Sequence, residues 1–234
     1  MTTAFLPCRA GSQRVKRKNT RVFAGDPQGL VGIKLGQLAR CGGIERIVLS
    51  TNDPEVVAIA LSLSHVREKL EIDHRPEELC LPTTSTDELI RYVPTIIQSG
   101  PVLWTHVTSP LVTSLDYESI LVAYNDGVDS GKADSLMTVT SFQEFLWSTS
   151  GPLNYDPLVE KWPRTQFLKP LFTVNSAAFV IDAQLMASHE DRIGASPVLH
   201  ELDGLKGFDI DWEGQFEVGE LLYARAIASR ISSS

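Results

Sequence analysis

Thr3-Ala4-Phe5-Leu6 runs directly into Pro7-Cys8-Arg9-Ala10-Gly11-Ser12-Gln13-Arg14-Val15-Lys16-Arg17-Lys18-Asn19. The first four residues read as a buried strand. From Pro7 to Asn19 the chain reads as a loop that opens on small residues, contains a glycine and is dense in cations. A strand that gives way to such a loop offers backbone N–H groups and positive charge to a polyphosphate, so a nucleotide is the first expectation. The loop lacks the Gly-Lys-Ser/Thr of a Walker P-loop and is not a G-x-G-x-x-G turn. Taken alone, Arg14 to Lys18 also fits a nucleic-acid patch or a solvated loop. Its place directly after the first strand favours the phosphate reading.

Working outward, strand and helix signals alternate. Asp26-Pro27 reads as the cap and first residue of a helix through Leu30, Ile33 and Leu38 that Gly42-Gly43 stops. Arg46 to Ser50 is a strand, Asp53-Pro54 opens a second helix, and Leu70 to Asp73 is a third strand. Thr86-Asp87-Glu88 starts a helix to about Gln98, Pro101 to Thr105 is a strand, and a helix from Ser114 to Asn125 leads to the strand Ser135 to Val139. This rhythm predicts an α/β fold, a mainly parallel twisted sheet with helices on both faces. Ligands in such sheets lie beyond the carboxyl ends of the strands, where the Arg9 loop, Asn52-Asp53, Arg75-Pro76 and Thr108-Ser109-Pro110 fall.

The 234 residues suit one large domain spanning 1–234, and 43% hydrophobic content supplies a core. A net charge of −8 argues against DNA or RNA as the main partner, so the basic loop is a local island. No apolar stretch approaches the roughly 18 to 20 residues of a membrane span, and the expectation is a soluble, cytoplasmic protein with no membrane partner. Cys8, Cys41 and Cys80 have neither disulfide nor zinc spacing and read as small buried residues.

The alternation breaks at about 141–171. Phe145, Leu146 and Trp147 are followed by Gly151-Pro152, Asp156-Pro157 and Trp162-Pro163, a turn-rich insertion whose aromatics need a cover. A subunit interface would supply one, and so would a satellite cluster within the domain. Near the other end stands Gly207-Phe208-Asp209-Ile210-Asp211. In an extended segment residues two apart face the same way, so Asp209 and Asp211 can converge on one hard cation while Ile210 enters the core. Paired acids also commonly start helices.

Arg9, Gly11, Ser12, Lys18 and Asn19 fall in the register of the loop A-R-x-G-S-x-x-x-x-x-K-N of the cytidylyltransferases that make CMP-sialic acid and related CMP-ulosonic acids, with Cys8 where that family usually has Ala. The chain resembles that family. Gln13-Arg14 replaces its usual Lys-Gly and is similar to the Gly-Ser-x-Arg of CMP-KDO synthetases. Arg75-Pro76-Glu77-Glu78-Leu79 looks like "R-P-x-E-L", Ser50-Thr51-Asn52 like "S-T-D", and Thr108-Ser109-Pro110 like "T-S-P" with His106 where Gln is common. Arg164-Thr165-Gln166 and Asn175-Ser176-Ala177-Ala178-Phe179 track "R-x-Q … N-G-A-I-Y", with Ser for Gly and Phe for Tyr. Asp209-Ile210-Asp211 matches "D-I-D".

The resemblance implies a Rossmann-like nucleotidyltransferase fold, with the insertion as a dimerisation element of a homodimer. It implies Mg²⁺-dependent transfer of CMP from CTP to the anomeric hydroxyl of a nonulosonic acid, with release of pyrophosphate. Nucleotide contacts would come from Pro7, Cys8, Arg9, Gly11, Ser12, Lys18, Asn19, Arg75, Thr84, Ser85 and Thr86, and Mg²⁺ would sit on Asp209 and Asp211. Arg9, Lys18 and Asp211 would act in the reaction, and His106, Arg164, Gln166, Asn175 and Phe179 would meet the acidic sugar. Two other readings stay open: a KDO or other sugar nucleotidyltransferase, and a nucleotide-binding protein without catalysis on the same scaffold.

Overall fold

The computed structural model describes residues 1–231. Nine strands and six α-helices, in chain order β1 (Thr2–Pro7), α1 (Gly29–Arg40), β2 (Ile44–Thr51), α2 (Pro54–Ser62), β3 (Leu70–His74), α3 (Thr86–Ile96), β4 (Pro101–Trp104), α4 (Ser114–Asp129), β5 (Ser135–Phe142), β6 (Trp147–Ser148), β7 (Gly151–Pro152), β8 (Leu171–Asp182), α5 (Ala183–His189), β9 (Pro197–Glu201) and α6 (Glu213–Ile231), form the described part. Seven strands make one sheet in the order β3-β2-β1-β4-β8-β5-β9. All pairs are parallel except those of β8, which runs antiparallel to both β4 and β5. The expected α/β architecture is therefore present, with one reversed strand near its middle.

Both faces of β1 are covered, as a central parallel strand requires. Ala4 and Leu6 enter one core with Leu30, Leu38 and Ile47. Phe5 enters the other with Ile90, Trp104 and Phe179, its ring edge-on to Trp104 at 4.8 Å. Helix starts follow side-chain caps. Asp53 accepts from Glu55 N–H with Pro54 at the first position of α2, and Ser85 with Glu88 and Thr113 with Asp116 form capping boxes.

Several boundaries differ from the sequence reading, three of them for evident local reasons. Helix α1 begins at Gly29, because Asp26 closes a tight turn instead, accepting from Gln28 N–H at 2.9 Å and bridging to Phe23. Helix α4 runs on to Asp129. Strand β5 extends to Phe142, held by the long partner β8.

The insertion carries the hairpin β6–β7 and a set of mutually packed rings, with Phe145 edge-on to Tyr155 at 5.2 Å and to Trp162 at 5.4 Å. Trp147, Leu158, Val159, Trp162 and Phe167 remain exposed around it. No helix among the described residues is long and apolar enough to cross a membrane.

Candidate active site

Beyond the carboxyl end of β1, residues 8–28 fold as one long loop pinned at both ends. Ala10 N–H donates to Asn52 Oδ1 at 2.9 Å, and Asn19 Nδ2 donates to the Arg9 carbonyl at 3.2 Å. Gly11 takes φ +74, a conformation that a residue with a Cβ rarely adopts, and turns the chain after Arg9. On the outer side Arg17 pairs with Glu55, which also accepts from Thr20 Oγ1 at 2.7 Å. The loop is thus fixed to the starts of α1 and α2, with Arg9, Arg14 and Lys18 on its inner side.

A cavity of about 230 Å³ opens between this loop and the end of β4, lined by Pro7, Cys8, Arg9, Ser12, Gln13, Arg14, Val15, Lys18, Asn19, His106, Val107 and Thr108. Six of the loop residues expected to hold a nucleotide line it. Lys18 crosses its floor, donating to the Ile210 carbonyl at 3.0 Å and lying 4.0 Å from Asp211 Oδ1. Burial lowers the Lys18 pKa, while Asp211 and Asp209 pull it back up. Cys8 is fully buried and its thiol is pushed up to about 12 by desolvation, so it is inert and contributes backbone.

The acidic segment meets the loop from the opposite side. Ile210 N–H donates to the Thr108 carbonyl at 3.0 Å and its side chain is fully buried, as the alternation predicts. Asp211 pairs with Arg14 at 2.7 Å, and Gln215 Oε1 accepts from Asp211 N–H and Trp212 N–H. Asp209 is pushed up chiefly by burial, with Thr108 and Lys18 opposing, and its Oδ1 is buried without a hydrogen-bond partner. An orphaned carboxylate oxygen beside a second carboxylate fits a hard cation, which would satisfy it. Among the described residues no group of three or more His, Cys, Asp or Glu forms a metal cage. The chain therefore offers two carboxylates, and any further ligands would be substrate or water. A Cβ at Gly207 would collide with Thr140 Oγ1, so only glycine lets this segment pass so close to β5.

Behind the cavity a buried polar layer holds the 108–110 turn. Lys34 of α1 donates to the Ser109 carbonyl at 2.8 Å and to Tyr117 Oη at 2.6 Å, and Gln37 donates to the Pro110 carbonyl at 2.6 Å. Burial brings the Lys34 pKa down to about 7. These two residues were not singled out from the sequence, although a lysine in the Leu30-Lys34-Leu38 stripe of an apolar helix face was a visible signal.

His106 accepts from Trp104 Nε1 at 3.1 Å through Nε2. Desolvation and the surrounding cations lower its pKa to about 3, so the imidazole is neutral at ordinary pH. The other expected contacts are not gathered at this cavity. Arg75 is buried, its guanidinium donating to Ser50 Oγ at 3.0 Å and to the Ser50 carbonyl at 2.7 Å. Thr84 donates to the Glu78 carbonyl, Ser85 caps α3 and Thr86 begins it. Arg164 and Gln166 lie in the insertion, where the Gln166 carbonyl accepts from Gln143. Asn175 donates to Thr140 Oγ1 at 3.0 Å, and Phe179 is buried beneath Arg192.

Residues 3–78 match the family model described as Cytidylyltransferase. Two pseudaminic acid cytidylyltransferases of Campylobacter jejuni are similar in sequence. The one from serotype O:23/36 is 28% identical over 113 residues, 46% of each chain. The one from serotype O:2 is 26% identical over 144 residues, 59% of this chain and 58% of the relative. The matches thus span about half the length of these curated relatives. In fold the chain resembles a CMP:2-keto-3-deoxy-manno-octonic acid synthetase complexed with CTP, with TM-score 0.65 and 14% identity over 96% of this chain and 99% of that one. It also resembles the 4-diphosphocytidyl-2C-methyl-D-erythritol synthase of Anaerococcus prevotii, with TM-score 0.64 and 12% identity over 94% of each. The first third of the chain thus matches the cytidylyltransferase model, the sequence relatives carry that activity in their names, and the fold is the one these solved structures share.

Proposed function

We propose that the protein transfers CMP from CTP to the anomeric hydroxyl of a nonulosonic acid of the sialic or pseudaminic type, releasing pyrophosphate. The observation that carries this reading is Lys18, wedged between the cation-rich loop and the Asp209-Ile210-Asp211 segment at the carboxyl ends of β1 and β4. A triphosphate in the cavity would meet Arg9 and Lys18 and the backbone of Gly11 and Ser12. The acceptor hydroxyl attacks the α-phosphorus and gives its proton to Asp211 or to water, the bond to the bridging oxygen of the β-phosphate breaks, and that oxygen leaves with pyrophosphate. Such transfers need positioning and charge neutralisation more than covalent chemistry. Lys18 and Arg9 hold the negative charge that moves onto the leaving group.

Asp209 and Asp211 would hold Mg²⁺, which when bound supplies Lewis-acid stabilisation of phosphate charge. For that, Arg14 must release Asp211, and a freed Arg14 becomes a further phosphate contact. The two subunits of a homodimer would cover Trp147 and Trp162 against each other. The relatives' names motivate an acidic keto-sugar acceptor, and a KDO-type acid is the competing choice, favoured by Gln13-Arg14.

The test is pyrophosphate release measured with CTP, UTP, ATP and GTP against pseudaminic acid, N-acetylneuraminic acid and KDO, with Mg²⁺ and with EDTA. CTP- and Mg²⁺-dependent turnover of a nonulosonic acid supports the reading. Binding of CTP without turnover of any acid would sink it.

A further inference from the structure

Arg192 lies in the turn between α5 and β9, half-buried, and among the described residues its guanidinium makes no ion pair and no hydrogen bond. The adjacent Asp191 carboxylate is occupied by the backbone N–H of Arg192, at 2.6 Å. The guanidinium is stacked on aromatic rings instead, 3.8 Å from the centroid of Phe179 and 5.6 Å from that of Trp104. Phe179 and Trp104 are cross-strand partners on β8 and β4. Cation–π contact orients a guanidinium and lowers its hydration without neutralising it. Its hydrogen-bonding edge stays free.

Trp104 links this cation to the cavity through its bond to His106 Nε2. An Nε2 that accepts leaves the ring proton on Nδ1, and no protein group among the described residues engages that atom. The charged groups acting on His106 are all cations, Arg192, Lys18, Lys34 and Arg75. His106 thus lines the cavity with an N–H donor, and the Arg192 fork stands behind it across the Trp104 ring.

We propose that Arg192 and His106 form a subsite for the carboxylate of the acidic acceptor, Arg192 by its charged fork and His106 by Nδ1–H. This rests on the proposed function, since it gives that acceptor a place opposite the triphosphate loop. A planar carboxylate matches the guanidinium fork, which a lysine cannot imitate. The subsite would select acids over esters or amides of the same sugar.

The experiment compares wild type, Arg192→Gln and Arg192→Lys. Acceptor KM is read from pyrophosphate release with the three acids, and CTP affinity is read separately by calorimetry. Arg192→Gln is expected to raise acceptor KM by about tenfold or more, the scale of losing one partner of a buried charged contact, with CTP affinity within about twofold. Arg192→Lys should fall between. Unchanged acceptor KM in Arg192→Gln, or parallel losses in CTP affinity and melting temperature, overturns the subsite. Should wild type turn over none of the acids, the proposed function fails, and the subsite is then judged by titrating N-acetylneuraminic acid and its methyl ester. A preference for the acid that Arg192→Gln abolishes supports it, and no preference in wild type overturns it.

Discussion

Arg14 and Asp211 stand 197 positions apart in the chain and meet at 2.7 Å across the mouth of the cavity. Their side chains are 50% and 40% exposed, so the pair is screened and contributes less than about 1 kcal/mol to the fold. It is a contact that a ligand can displace. Arg14→Gln should therefore leave thermal unfolding nearly unchanged. Asp211→Asn should lower pyrophosphate release by about 100-fold or more, the scale of losing a charge-stabilising group in the transition state. Near-normal turnover in Asp211→Asn would remove this residue from the reaction.

Asp209 presents the opposite balance. The residue is half-buried, its Oδ1 is buried with no partner, and burial opposes its charge. Asp209→Asn keeps the shape and removes the charge, so in EDTA-containing buffer the variant should be more stable by about 1 kcal/mol, or about 2 to 4 °C in a chain of this size. Turnover should fall at the same time. Differential scanning calorimetry beside the pyrophosphate assay checks both signs, and a destabilised variant contradicts the argument.

His106 carries a pH signature. Its folded pKa of about 3 lies below the unfolded value near 6.5, so the unfolded chain takes up a proton first as pH falls. The stability this group contributes is complete above about pH 6.5 and declines as pH drops toward 3. His106→Gln should flatten that decline in urea unfolding measured between pH 4 and 7. In kinetics His106→Ala should cost roughly 1 to 3 kcal/mol in the acceptor's constants and hardly change CTP affinity. An equal loss for both substrates would make His106 a structural partner of Trp104.

Ser176 sits at φ +55, in the left-handed region, two residues before the Thr138–Ala178 bonds where the β5–β8 register shifts. A serine there is strained and a glycine is not. Ser176→Gly should therefore be neutral to stabilising, by up to about 1 kcal/mol, despite the added freedom of the unfolded chain. Chemical denaturation gives the sign directly.

The exposed faces of Trp147 and Trp162 lead to an assembly prediction. Light scattering at micromolar concentration should give about twice the 25.8 kDa chain mass, and Trp162→Arg should lower it toward one chain. A monomer at these concentrations removes the proposed interface.

The first half of the sheet was legible because each strand there is a short apolar run between caps and turns. Asp53-Pro54 and Ser85 with Glu88 mark helix starts by local chemistry alone. Strand β8 carries no local mark of its direction, since antiparallel pairing with β4 and β5 is decided by partners far away in the chain. Of the charged residues read from the sequence, Arg9 and Lys18 line the cavity, and Asp211 comes within 4.0 Å of Lys18. Asn52 stood out only as a departure from "S-T-D", and its amide proves to hold the loop at Ala10. Arg192 left no trace, because an arginine in a polar turn looks solvated until the rings beneath it are placed.

The reversed run of β8 has an outcome for how such a protein can change. Strands β3, β2, β1 and β4 bring the loop cations to one rim, and β8 and β5 bring Asn175 to the same rim from the other flank, while the Arg192 turn joins β9 at the opposite edge and reaches back by its side chain over Phe179. The flanks share a single seam, Pro101 to Trp104 against Phe179 to Asp182. On the proposed reading, a lineage can trade one acceptor for another by drift in residues 171–201 while the donor half stands still. Chimeras joined at this seam would inherit their two substrates from different parents.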